Sequence, residues 1–177
     1  MNIERPIYLQ RLINRKHNGM IKIVTGMRRS GKSYLLNNLF TNHLLSAGVA
    51  PDHIISIDLE DIINKPLREP MAIISYIYQS TKDNQYHYLI IDEIQLLSEF
   101  EEVLNTLLKK QIYDVYVTGS NARFLSKDVI TTFRGRGDEV RVHPLNFAEY
   151  FSAQPSSPLI EPILNDYLRL GGLPQTV

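Results

Sequence analysis

The hydrophobic and polar positions of this chain follow two alternating patterns. Short apolar runs bounded by polar residues or glycine predict strands at 21–25, 53–59, 86–91, 114–118 and 139–143. Between these runs, apolar residues recur every three or four positions, which predicts helices near 6–17, 32–46, 70–81, 98–111, 146–152 and 159–170. Capping boxes are expected at Ser98 with Glu101 and at Asn146 with Glu149. Strands that alternate with helices indicate an α/β three-layer sandwich around a mostly parallel sheet.

Composition fits one large globular domain and narrows its chemistry. The 177 residues are 44% hydrophobic and include no cysteine, which excludes disulfides, thiol nucleophiles and cysteine metal sites. The histidines show no ligand-like spacing, and no apolar run is long enough for a membrane span. We therefore expect a cytoplasmic protein with no membrane partner. Residues 1–40 hold eight Lys/Arg and one acid, whereas 83–102 hold six acids and no Lys/Arg. The basic region suits either nucleotide phosphates or nucleic acid, but no nucleic-acid reading motif accompanies it.

A glycine-rich loop between the first strand and the following helix carries the clearest chemistry. Gly26 is followed by four residues and then by Gly31, Lys32 and Ser33, the G-x-x-x-x-G-K-[ST] pattern of a phosphate-binding loop. Glycine permits close backbone approach, and successive N–H groups at a helix N-terminus bind phosphate oxygens. Lys32 is predicted to reach the β- and γ-phosphates, and the Ser33 hydroxyl to bind Mg²⁺. The remaining predicted nucleotide contacts are Arg28, Arg29, Ser30 and Tyr34. An ordinary strand-to-helix turn is the alternative.

Two carboxylates follow the third predicted strand. Asp92 and Glu93 would lie at the same carboxyl edge of the sheet as the phosphate loop. Asp92 suits a Mg²⁺ ligand and Glu93 a base that takes a proton from an attacking water. The alternative is a pair of surface acids, but their position 60 residues after the loop favours NTP hydrolysis.

Two further polar groups are candidates for catalysis. Ser120 and Asn121 follow the fourth strand, where they would orient the water or sense the γ-phosphate, or simply cap a helix. Arg134 and Arg136 precede the fifth strand, and we expect them at the same edge as candidate cations for phosphate charge. They would act within the chain, on a neighbouring subunit, or only as a solvated turn.

Several of these motifs together resemble a known family. The segments GMRRSGKS, YLIIDEIQ, YVTGSNARFLS, FRGR, VHPLNFAEYF and YLRLGGLP occur in the order of the prokaryotic AAA-like ATPases of the AAA+ superfamily. More narrowly, they resemble the branch in which an N-terminal ATPase domain precedes a C-terminal domain of unknown function with a nuclease-like fold. The resemblance implies a five-stranded sheet of order 5-1-4-3-2, ATP or ADP with Mg²⁺ as cofactors, and Ser120 or Asn121 as sensor. It also implies Arg136, with Arg134, as arginine finger, and Pro174 as a nucleotide contact.

The resemblance also suggests how the chain is organised. We expect an ATPase core over residues 1–152, with 153–177 as a linker and the start of a lid or winged-helix segment. The predicted function is Mg²⁺-dependent ATP hydrolysis that switches a C-terminal module beyond residue 177, with a homo-oligomer or protein partner possible. The alternatives are a nucleotide-gated scaffold or DNA-associated module with little turnover, and a P-loop kinase of a small metabolite.

Overall fold

The computed structural model describes residues 3–119, 135–154 and 159–174. Its centre is a five-stranded sheet of order β2-β3-β4-β1-β5, in which every neighbouring pair is parallel. This order confirms the predicted 5-1-4-3-2 arrangement. The strands are β1 (Ile21–Thr25), β2 (Ile54–Asp58), β3 (His87–Asp92), β4 (Tyr113–Thr118) and β5 (Gly137–Arg141).

Helices connect these strands and cover both faces of the sheet. They are α1 (Pro6–Ile13), α2 (Lys32–Tyr34), α3 (Thr41–Ser46), α4 (Pro70–Ser80), α5 (Phe100–Lys109), α6 (Phe147–Ser152) and α7 (Ile160–Leu170). A π-helical segment, Leu35–Phe40, joins α2 to α3, so the predicted helix over 32–46 is continuous but wider in its middle. Short 3₁₀ turns occur at Pro51–His53, Ile62–Arg68 and Ile94–Leu96.

Burial explains the order of the strands. Every residue of β1, β3 and β4 is buried, as expected for central parallel strands covered on both faces. The edge strands β2 and β5 contain exposed residues. Two apolar clusters fill the two faces, one built around α4 and α5, the other around α1 and the α2–α3 helix. Among the described residues, no helix has the length and apolarity to cross a membrane.

Helix ends account for the differences from the sequence prediction. Helix α1 ends at Ile13, four residues early, and a turn leads to β1. The predicted capping box at Ser98 and Glu101 is wrong, because α5 begins at Phe100 after Glu99, whose side chain makes no capping hydrogen bond. The capping box of Asn146 and Glu149 is confirmed.

Candidate active site

The loop after β1 has a backbone that only glycine tolerates at two positions. Gly26 has φ of +148°, and a Cβ there would lie 2.2 Å from the Val142 carbonyl oxygen. Gly31 has φ of +91° at the start of α2. The loop therefore curls tightly against the chain leaving β5 before it enters the helix. This is the shape of the phosphate cradle that the spacing predicts.

Lys32 is held inside this loop. Its ammonium donates to the carbonyl oxygens of Gly26 and Met27, at 3.1 Å each. Burial lowers the pKa of Lys32, while the nearby carboxylates of Glu93 and Asp92 act in the opposite direction. Within the described ranges, the lysine is thus a buried cation whose hydrogen bonds go to neutral oxygens, and an anion in the loop would satisfy it better.

Ser30 is a second polar group buried in the loop. Its side-chain oxygen is fully buried and has no hydrogen-bond partner among the described residues. Buried polar atoms are nearly always satisfied in native proteins. The oxygen lies beside Gly26, 3.0 Å from the position of a Cβ on that residue. The Ser30 oxygen therefore lies against the loop backbone.

The end of β3 brings the predicted carboxylates to the loop. Asp92 is buried, and its carboxylate accepts hydrogen bonds from the hydroxyls of Ser33 and Thr118. Burial raises the pKa of Asp92, and the two hydroxyl hydrogen bonds lower it in part. The Ser33 and Asp92 oxygens predicted to serve Mg²⁺ therefore lie together, and hard oxygen donors of this kind suit that ion.

Thr118, the last residue of β4, was missed by the sequence analysis. Its hydroxyl donates to Asp92 and accepts the Glu93 backbone N–H at 3.0 Å. Glu93 adopts a left-handed backbone with φ of +52°, and Gln95 donates a hydrogen bond to its carboxylate. Thr118 therefore fixes the turn that orients Glu93. A threonine at the end of a β-rich run carries no distinguishing sequence signal.

A cavity of about 350 Å³ opens at this point. It is lined by Arg28, Arg29, Gly31, Lys32, Ser33, Tyr34, Glu60, Glu93 and Pro174. The structure thus brings together most of the predicted nucleotide contacts and the predicted base. It also gives Arg28 a partner, since its guanidinium pairs with the exposed Glu60 carboxylate at 3.3 Å. Pro174 packs near the loop, with its Cγ 3.5 Å from the Cβ position of Gly31.

Arg136 does not lie at this site. It precedes β5, and in a parallel sheet the residues before a strand lie at the edge opposite the phosphate loop. Its guanidinium donates to the Asn105 side-chain oxygen at 3.0 Å and lines a separate cavity with His17 and Asp114. The placement of Arg136 at the carboxyl edge is therefore wrong. Ser120, Asn121 and Arg134 lie outside the described residues.

Two of the histidines are closer than their sequence spacing indicated. His53 precedes β2 and His87 begins the adjacent strand β3, so their rings lie 4.5 Å apart, next to the carboxylate of Asp83. Both ring nitrogens of His87 already have partners, the Gln85 carbonyl at 2.9 Å and the Lys82 N–H at 3.2 Å. The group is consequently satisfied by the chain itself.

Comparison with known proteins agrees with this geometry. Residues 18–151 match the sequence profile of a family described as "AAA domain". The chain belongs to this AAA-domain family. The chain is 32% identical over 179 residues to an uncharacterized Haemophilus influenzae protein and 29% identical over 187 residues to one from Methanocaldococcus jannaschii. The matches cover 99% and 98% of this chain but only 44% and 38% of those relatives, so the chain spans less than half of their length.

Solved structures resemble the AAA domain in fold. The Walker-type ATPase of Pyrococcus abyssi superposes with a TM-score of 0.65 and 18% identity, over 98% of this chain and 65% of that one. AMPPCP-bound DnaA from Aquifex aeolicus gives 0.59 and 16%, over 95% and 56%. The Aeropyrum pernix Orc1 protein in complex with DNA gives 0.57 and 12%, over 93% and 50%. The chain therefore shares the fold of these proteins.

Proposed function

We propose that this AAA domain binds Mg²⁺·ATP and hydrolyses it. The convergence of Ser33, Asp92 and Glu93 beside the buried Lys32 ammonium carries this proposal. The buried Lys32 ammonium, which donates to two neutral carbonyl oxygens of the loop, supports an anionic ligand there. ATP is the nucleotide because the family resemblance is to ATPases.

Each residue has a distinct task in this reaction. Lys32 and the loop N–H groups bind the phosphate oxygens, and Ser33 with Asp92 would hold Mg²⁺, which neutralises charge developing on the phosphates. Glu93 accepts a proton from water as the water oxygen bonds to the γ-phosphorus. The bond between that phosphorus and the bridging oxygen breaks, leaving ADP and inorganic phosphate. The Thr118 hydroxyl holds Glu93 in position by accepting a hydrogen bond from the Glu93 backbone N–H.

Hydrolysis in this AAA domain would switch a C-terminal module. The curated relatives are more than twice as long as the matched region, which supports further domains in proteins of this kind. Association with DNA is a second candidate function. It is favoured by the similarity in fold to Orc1 in complex with DNA and by the basic residues in the range 1–40. Ser120 and Asn121 remain the proposed sensor.

The decisive experiment separates binding from turnover. Glu93→Gln keeps the volume of the side chain but removes the base, so we expect unchanged ATP affinity and turnover reduced by roughly 10²–10⁴. Lys32→Ala should instead abolish ATP binding. Phosphate release and isothermal titration calorimetry measure the two properties.

The same substitution at Glu102, exposed on α5, is the matched control and should behave as the wild type. Equal turnover in the Glu93→Gln and wild-type proteins would disprove the base assignment. Tight ATP binding with no phosphate release from the wild type would favour the nucleotide-gated scaffold. A phosphorylated metabolite without free phosphate would indicate a kinase.

A further inference from the structure

Arg5, which the sequence analysis did not single out, lies buried against the back of the phosphate loop. Its guanidinium donates to the carbonyl oxygens of Ser30 at 2.9 Å and His143 at 2.8 Å. It also makes two hydrogen bonds of 3.2 Å to the two carboxylate oxygens of Glu149. The Tyr8 ring covers it, with the ring centroid 4.4 Å from Cζ. Arg5 thus joins the N-terminal segment, the loop, the exit of β5 and α6.

Glu149 is itself fixed. The Arg5–Glu149 ion pair is almost completely buried, with side chains 1% and 9% exposed. One Glu149 oxygen also accepts the Asn146 backbone N–H at 3.0 Å in the capping box of α6. Burying two charges costs desolvation free energy that the pair alone seldom offsets. Stability by itself therefore does not explain this ion pair.

The bond to Ser30 has a direct consequence for phosphate binding. The Ser30 carbonyl and the Gly31 N–H belong to one planar trans peptide group, so they point in opposite directions. When Arg5 holds the carbonyl on its own side, the Gly31 N–H is directed away from Arg5. Gly31 lines the cavity at the loop, and its N–H is one of the groups expected to bind phosphate. Arg5 therefore sets the orientation of a phosphate donor without reaching the phosphate itself.

We propose that Arg5, held by Glu149, is a positioning residue that keeps the phosphate loop in its binding conformation and couples nucleotide binding to α1 and α6. The proposal rests on nucleotide binding as proposed above. Coupling between two sites is reciprocal. A bound nucleotide must therefore stabilise the docking of α1 and α6, just as their docking strengthens nucleotide binding.

The first test compares Arg5 with a matched arginine at the other end of the same segment. Arg15 also ties the N-terminal region to β5, through an ion pair with Asp138 at 2.8 Å, but makes no contact with the phosphate loop. ADP affinity without Mg²⁺ is measured by calorimetry, at a temperature where circular dichroism shows every variant folded. We expect at least about tenfold weaker binding for Arg5→Gln and Glu149→Gln, and less than twofold change for Arg15→Gln. Arg5→Lys should rescue little, because lysine cannot reproduce the forked contacts.

The second test uses the unmodified protein and does not depend on a variant that folds. Binding of ADP should slow hydrogen exchange of backbone amides in α1 and α6. Wild-type ADP affinity in Arg5→Gln would overturn the positioning role even if the melting temperature fell. Unchanged exchange in α1 and α6 with ADP bound would overturn the coupling. Absence of any ADP binding by the wild type would instead refute the proposed function, and this proposal with it.

Discussion

Single residues at the site show which signals a sequence carries. Lys32 and Ser33 were found because a fixed local spacing defines the phosphate loop. Asp92 and Glu93 were found because they end an apolar strand. Arg5 was missed because its partner Glu149 is 144 positions away, and nothing local indicates that either is buried. Contacts between residues that are far apart in the sequence can be identified only when the fold is known.

Asp92 shows a conflict between stability and function at the residue scale. Burial raises its pKa, so the folded protein disfavours the carboxylate that Mg²⁺ requires. Compared with the unfolded chain, the folded protein favours the protonated form of Asp92. The resulting contribution to the free energy of unfolding is fully present below the unfolded pKa, near 3.8, and is lost as the pH rises through the higher folded pKa. We expect Asp92→Asn to raise the unfolding free energy at pH 7 and to weaken Mg²⁺-dependent ATP binding.

Urea unfolding between pH 4 and pH 8 checks this prediction. The increase in the free energy of unfolding over the wild type should grow with pH in Asp92→Asn. It should be absent from Asp166→Asn, a control at an exposed position on α7. A loss of stability in Asp92→Asn at pH 7 would contradict it.

The elements themselves were predicted with most of their bounds, because apolar periodicity directly reports burial. Strand β3 was recognisable as a near-continuous apolar run, the pattern of a strand covered on both faces, whereas the equally buried β1 and β4 contain Lys22 and Asp114. Helix starts were less certain. The Asn146 box formed, but the same pattern at Ser98 did not, because Ser98 instead donates its N–H to the Arg68 carbonyl at 2.9 Å. A tertiary contact displaced the local signal.

The junction of β1 with the phosphate loop is the most constrained point in these elements. A Cβ on Gly26 would overlap the Val142 carbonyl oxygen. We therefore expect Gly26→Ala to destabilise the protein by more than about 2 kcal/mol, or roughly 4–8 °C in melting temperature.

Gly48→Ala is the matched control. Gly48 also has positive φ, +87°, but open space around its Cβ position, so only the backbone cost of about 1 kcal/mol applies. Equal melting temperatures for the two variants would contradict the steric argument.

At the scale of the whole molecule, the strand order was predicted by the family resemblance and is confirmed. The edge of the sheet on which Arg136 lies was predicted wrongly, although parallel strands already place the residues before β5 at the edge opposite the loop. The charge of Arg136 is exposed at that opposite edge. An arginine finger at this position would serve a neighbouring subunit.

We therefore predict that Arg136→Ala retains ATP binding and loses hydrolysis by about 10³-fold or more. The wild-type turnover per chain should rise with protein concentration. Arg169→Ala, exposed on α7, is the control and should match the wild type. Turnover that is independent of concentration and equal in Arg136→Ala would rule out the finger.

The position of β1 also affects when the site can form during synthesis. β1 is synthesised before both of its partner strands, β4 and β5, which follow roughly 90 or more residues later. At about 5–20 residues per second, β1 waits at least about 5–20 s for these neighbours. The phosphate loop is therefore synthesised well before the strands that complete its sheet, so nucleotide cannot assist folding until they have been made.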